Sequence, residues 1–223
     1  MIEVVGREWT IDVHRLVIGD ERALRRFSDG FDELAVHDRY VTIEGDGEAR
    51  ALASPPRLAR NGAGWSLRGT VGPRYERPHV DSLHSEISID DLRMLNGREQ
   101  LPQIFHIALS TGRGKLVGSP EWGGDLRRRF AELGDGELFE RLVGLEAMRM
   151  ASIPYADRDG PSAPSATPLR CVDRIVSLTL SRGRDADHRR AHVVAEVHGI
   201  GPWEADVEIL VATSMPDDLH ANS

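Results

Sequence analysis

Cysteine is nearly missing from this chain: Cys171 is the only one among 223 residues. That excludes an internal disulfide and a four-cysteine metal site, and it fits a reducing compartment. Lysine is equally scarce. Lys115 stands alone among 28 basic residues, an arginine bias that carries no functional reading. No apolar run approaches the roughly 20 residues that cross a bilayer. The opening MIEVVGREW has neither the basic region nor the apolar region of a signal peptide. A protein made in the cytoplasm, without a membrane partner, is expected. Aromatic residues make up 5% of the chain, too few for an obvious sugar-binding platform. Acidic residues outnumber basic ones by 36 to 28, a net charge of -8. That balance argues against a nucleic-acid partner, because polyanion binding rests on neutralising phosphates.

What is present is enough apolar sequence, 40% of the chain, for one large core or two small ones. Residues 1–70 read as a small β-rich docking module. Trp9, Ile11, Val13 and Val17 alternate as on one face of a strand, RYVTIEGDGEARALAS offers two strands around a glycine turn, and GWSLRGTV another. Leu24, Phe27, Phe31 and Leu34 fall at helical spacing, with Asp20 as the expected N-cap. Residues 71–87 carry prolines and little periodicity and are expected to be a linker.

Residues 88–213 read as a second, α+β unit. Leu101, Ile104, Phe105, Ala108 and Leu109 fit the template of a core-facing helix. Pro102 would cost a hydrogen bond beyond the first turn, which places the helix start near Arg98 or Glu99, with Asn96 at N-cap spacing. A second helix puts Leu126, Phe130 and Leu133 on one face behind an Asp125 cap. A third turns Leu138, Leu142, Leu145 and Met148 inward. An exposed Pro/Ser/Ala-rich loop over 153–168 follows. Three strands close the chain through Val176, Leu178 and Leu180, through Ala191, Val193, Ala195 and Val197, and through Trp203, Ala205, Val207, Ile209 and Val211. Helices first and a β-meander last predict helices packed on one face of an antiparallel sheet. Residues 214–223 are a polar tail expected to fray.

The densest cluster of chemistry-bearing residues is TGRGKLVGSPEWGGDL, Thr111 to Leu126. It is not a phosphate loop. Lys115 is followed by Leu116 where a hydroxyl is needed, and the preceding element is a helix. Gly112 is expected to end that helix in a left-handed turn. Glu121 beside Trp122 suggests a glycosidase acid, but such chemistry needs a second carboxylate about 5 to 9.5 Å away in a groove, and Asp125 is equally a helix cap. His79, Asp81 and His84 lie in the linker and His192 and His198 on the outward parity of a strand, so a metal site is not expected. No G-x-S-x-G occurs, and Cys171 sits in a strand pattern. The remaining reading is geometric. Pro120 and the Gly123–Gly124 pair shape a turn that presents Trp122 either to the core or to a neighbouring protein.

The order of these features resembles the baseplate wedge or sheath-initiator family of contractile tails, once described as lysozyme-like. The residues that carry the resemblance are Gly97, Leu101, Gln103, Thr111, Gly114, Pro120, Glu121, Trp122 and Gly123, followed by the helix pair and RCVDRIVSLTL. It covers about residues 86–213, and it rests on order and spacing together rather than on one motif. Lys115 departs from the acidic residue that members commonly carry there, and residues 1–70 have no counterpart in the compact members.

The resemblance implies a structural protein, with no catalytic residues and no cofactor, that joins the wedge to the central hub and starts the sheath, in part by sharing β-strands. Its partners would be other wedge and hub proteins, sheath protein and tube protein, with several copies in a ring. It would be assembled into a virion tail or a tail-like injection or secretion particle. Arg113, Glu121, Trp122 and Trp203 are the expected interface residues. A peptidoglycan-cleaving enzyme and a generic soluble adaptor are the alternatives.

Overall fold

A computed structural model describes residues 2–5, 8–13, 18–34, 38–43, 47–61, 64–117, 119, 121–155 and 166–212. The first sheet holds β1 (Ile2–Val5), β2 (Glu8–Val13), β5 (Arg57–Asn61) and β6 (Gly64–Thr70) in the order β1-β2-β6-β5, every neighbour antiparallel. β2 stops at Val13, so the expected alternation to Val17 runs beyond the strand, and Val17 itself lies outside the described backbone. Helix α1 (Ile18–Asp29) begins before Asp20, which is therefore inside the helix rather than its N-cap. The helical spacing also breaks before Leu34. Gly30 ends α1, a short 3-10 turn Phe31–Glu33 follows, and Leu34 is extended. Phe31 is the centre of a small core with Leu52 and Val71, edge-on to Phe27 at 5.9 Å and under the Arg39 guanidinium.

The second unit is α+β, as its element order predicts. β9 (Val172–Arg182), β10 (His188–Val197) and β11 (Gly201–Leu210) form an antiparallel meander with β10 in the middle. Ala191, Val193, Ala195 and Val197 of β10 and Trp203, Val207 and Ile209 of β11 are buried on one face. Helix α2 (Leu101–Ser110) packs along β11, and α4 (Glu137–Ser152) along β9. Between them α3 (Leu126–Leu133) contacts both helices. It buries Leu126 in the core, but Leu133, in its last turn before Gly134, is exposed.

Three further expectations for this unit shift for local reasons. In β9 the pairing with β10 skips Val176, a β-bulge that reverses side-chain parity. Ile175 is therefore buried while Val176 is exposed, and Leu178 and Leu180 are only half-buried. In α4 the inward face is Phe139, Val143, Ala147, Met150 and Ala151, whereas Leu138 is exposed and Leu142, Leu145 and Met148 are half-buried. In α2 the α-helix proper starts at Leu101 after a 3-10 turn over Gly97–Gln100. Pro102 thereby falls in the first α-turn, where no intrahelical donor is lost. Asn96 makes no cap bond, because its side-chain oxygen accepts from Ser85 instead.

The inward face of α4 is moved by a hairpin from the N-terminal part of the chain. β3 (Tyr40–Ile43) and β4 (Glu48–Ala51) pair antiparallel and pack against α4 beside the β9 edge of the sheet. The Ala49 N–H donates to Ser152 Oγ at 3.0 Å, and the Ile175 N–H to the Gly47 carbonyl at 2.9 Å. α4 is thus covered on two sides, and small or aromatic residues rather than leucines take the closest contacts. Residues 71–87, expected as a linker, are also drawn in. Arg77 is buried, and it donates to the carbonyls of Val172 (3.0 Å), Tyr75 (2.8 Å) and Ala151 (3.2 Å). Burial pulls the Arg77 guanidinium below its ordinary range. Short strands β7 (Glu86–Ile87) and β8 (Met94–Leu95) then make a second hairpin ahead of α2. The loop expected to be exposed over 153–168 is anchored at both ends, where Ile153 and Thr167 are buried and Tyr155 bridges to Ala166. Its middle, 156–165, and the tail 214–223 lie outside the described residues.

Cys171 lies just before β9, fully buried, and burial raises its thiol from 9.0 to about 11. Below pH 9 the folded and unfolded chains both keep this proton. Between pH 9 and 11 only the unfolded chain releases it, so stability falls as pH rises, by up to about 2–3 kcal/mol. Urea unfolding at pH 8 and pH 10.5 checks this. The wild type should lose more stability between the two than Cys171→Ala does, and equal losses would contradict the assignment.

Candidate interaction site

Thr111–Asp125 forms a folded connection rather than an open loop. α2 ends with Thr111 in extended conformation, its N–H donating to Ile107 O at 3.0 Å. Gly114 (77°), not Gly112, is the first residue after the helix with positive φ, so the expected left-handed helix end at Gly112 is replaced by a short bridge. Gly112 pairs parallel with Gly124, through Arg113 N–H to Gly124 O (3.0 Å) and Gly124 N–H to Thr111 O (3.1 Å). Two glycines sit in close contact, Gly123 against backbone and Gly124 against side-chain ends. Gly123 sits at φ +93°, where a Cβ would lie 2.5 Å from Thr111 O, and a Cβ on Gly124 would meet Glu146 Oε1 at 2.5 Å. Asp125 makes no cap hydrogen bond to α3; its carboxylate accepts from Arg128 at 3.1 Å. Pro120 lies outside the described residues.

Underneath the connection is a buried ion pair. Arg149 of α4 is 1% exposed. It donates Nε to Glu146 Oε2 (3.1 Å), Nη2 to Glu146 Oε1 (2.7 Å) and Nη2 to the Gly123 carbonyl (2.7 Å). Burial lowers the guanidinium, but the hydrogen bond and charge of Glu146, with Tyr40 and Asp38, more than offset it and leave it raised. Tyr40 beside this pair is raised, first by burial and then by Glu146. Arg113 reaches across to Asp38 at 2.7 Å. Two of the expected interface residues are thereby placed. Arg113 ties the connection to the β3–β4 hairpin, and Trp122 is half-buried against the main core. Glu121 is half-buried beside it. Trp203 is buried, stacked face to face on Phe105 with centroids 5.3 Å apart. Its parity on β11 puts it in the core rather than at a surface, in keeping with the alternation of its strand.

Of the two edges of the meander, the outer edge of β11 is the more open, and period-2 alternation marks it only as a strand. The Glu208 carbonyl is bonded by His106 Nδ1 at 2.5 Å and the Leu210 N–H by Ser110 Oγ at 3.0 Å. Even-numbered residues of β11 therefore aim their main chain away from β10. Among the described residues nothing bonds the outward main chain of Glu204 or Asp206. β9, the other edge, is covered at two points, by Gly47 O on Ile175 N–H and by the Glu140 carboxylate on Leu180 N–H at 2.8 Å. Beside the open edge lies a groove of about 500 Å³, lined by Ile89, Leu95, Pro102, His106 and Val207 among others. The β7–β8 hairpin at its rim exposes Ile87, Ile89, Leu92 and Met94, all more than half accessible. Four large apolar side chains within eight residues are unusual on a solvated hairpin. Leu92 also holds a positive φ of 60°, which a branched side chain adopts at a cost.

Two of the histidines weighed as ligands make local contacts. His79 Nδ1 accepts the Asp81 N–H at 3.2 Å, and His192 sits 2.9 Å from Asp206 and 3.4 Å from Glu204. Among the described residues no three of His, Cys, Asp and Glu converge as a metal cluster, and no helix is long and apolar enough to cross a membrane. No family model matches the chain, and neither a curated protein nor a solved structure matches it significantly.

Proposed function

We propose that the chain is a structural component of a contractile-tail baseplate that joins wedge to hub and starts the sheath by accepting a partner strand. One observation carries the reading: a three-stranded meander with one edge, β11, left open over Pro202–Asp206 beside an apolar-rimmed groove. An unpaired edge offers main-chain donors and acceptors to another chain, and β-augmentation uses both. The order of helices, folded connection and terminal meander supports the same reading. The connection 111–125 is internally bonded and anchored by Arg149, which suits a scaffold element more than a substrate cleft.

The test is an edge-blocked variant. Glu204→Pro removes an outward N–H that the β10 ladder does not use, so the fold should survive while strand addition is blocked. Electron microscopy of particles made with wild-type and variant chains is the readout. Wild type is expected in several copies at a tail end carrying full sheaths, and the variant in tails with short or missing sheaths. Full-length sheaths on the variant, or a wild-type chain found in no tail, would overturn the proposal.

A further inference from the structure

The open edge also specifies what fits it. Resting on the strand-accepting role above, we infer that β11 takes an extended partner segment in which basic residues alternate with apolar ones. In the antiparallel ladder, directly opposed residues place their side chains on the same face of the sheet. Glu204 and Asp206 aim their main chain at the open edge and their carboxylates at solvent, with side chains 66% and 57% exposed. An incoming residue opposite either one therefore lies beside a carboxylate. Among the described residues the side chain held against this pair is the His192 imidazole, on the far side toward β10, whereas the next carboxylate, Glu208, is engaged by Arg190 at 3.2 Å. The groove adds Asp90 and Glu99, neither with an ion pair among the described residues, while its two arginines are occupied, Arg93 by Asp91 at 3.1 Å and Arg184 by Asp185 at 3.6 Å. Arginine or lysine is the complement at those positions.

The intervening residues of the partner point to the opposite face, over Val207 and toward Ile89, Leu95 and Pro102, which line the groove. Apolar side chains are the complement there. The reach of the pairing is bounded at both ends. Pro202 has no N–H to offer, and beyond Glu208 the edge is closed by His106 and Ser110. The outward groups between these limits are the carbonyls of Pro202, Glu204 and Asp206 and the N–H groups of Glu204, Asp206 and Glu208. A segment of about five residues saturates them.

The experiment uses the full chain and two fluorescent seven-residue peptides, one alternating lysine with valine, the other identical but with glutamate for lysine. Fluorescence anisotropy at low salt should show the lysine peptide binding at least roughly tenfold more tightly than the glutamate peptide. The charge reversal Glu204→Lys with Asp206→Lys should invert that preference, and Glu204→Pro should abolish binding of both, with far-UV circular dichroism unchanged. Equal binding of the two peptides, absence of lysine-peptide binding, or lysine-peptide binding that survives Glu204→Pro would overturn the inference. Its failure is separable from that of the strand-accepting role. Tails whose sheaths depend on an unblocked Glu204, from a chain indifferent to peptide charge, would leave that role standing and remove only the charge rule.

Discussion

Replacing Arg149 with methionine is expected to destabilise the chain by about 3–5 kcal/mol and to release the 111–125 connection. The guanidinium is almost entirely buried, and it satisfies both oxygens of Glu146 and the Gly123 carbonyl. Methionine fills a similar volume, so little of the loss is cavity. The cost comes from leaving the Glu146 carboxylate, itself 14% exposed, without its counter-charge, and truncating one partner of a buried pair typically costs that much. Adding Glu146→Gln to Arg149→Met should then recover part of the loss, because the orphaned charge is gone. A double-mutant cycle by urea unfolding measures this coupling. Hydrogen exchange locates it: amides of Arg113 and Gly124, bonded across the bridge, should lose protection before those of β10. A loss below about 1 kcal/mol, with no coupling to Glu146, would mean that the pair behaves as a solvated one.

The same residues show what a sequence discloses and what it withholds. The period-2 alternation of β10 and β11 reads the buried face correctly, including Trp203, which parity alone assigns to the inner side. The helical template over Leu101–Leu109 does likewise, since Leu101, Ile104, Phe105, Ala108 and Leu109 are all buried. Failure comes where a second partner intervenes. α4 is apolar around much of its circumference, and the leucines at helical spacing mark a face that the β3–β4 hairpin leaves half-open, while Phe139, Val143 and Ala147 take the tight positions. A bulge at Val176 reverses parity within β9, and one extra residue in a ladder has no sequence period to announce it. Caps behave similarly. Asp125 and Asn96 have the right types at the right places, yet Arg128 and Ser85 compete for their oxygens. The open edge of β11 is bounded by His106 and Ser110, which close the rest of it from another element, and such long-range capping leaves no local trace.

Gly47→Ala is expected to cost about 3 kcal/mol or more, and Gly201→Ala only about 1 kcal/mol, although both glycines hold left-handed backbone, at φ +66° and +76°. At Gly201 nothing lies within 4 Å of an added Cβ, so the penalty there is conformational alone. At Gly47 the Cβ would run into the Ile175 main chain, which cannot rotate away as a side chain would. The clash can be relieved only by lifting the hairpin off β9. That breaks the Ile175 N–H to Gly47 O bond and strains Ala49 N–H to Ser152 Oγ, both of which hold β4 against the second unit. The difference between the two variants in urea unfolding isolates the close approach from the glycine conformation. Equal costs would place the hairpin as a loosely held appendage. A lifted hairpin also exposes the part of the β9 edge that Gly47 covers, so Gly47→Ala should self-associate at concentrations where wild type and Gly201→Ala do not, which light scattering after size exclusion reads directly. The N-terminal hairpin then has a role beyond attachment: by covering β9 it leaves β11 as the open edge of the meander, and with it the direction in which a partner strand can be added.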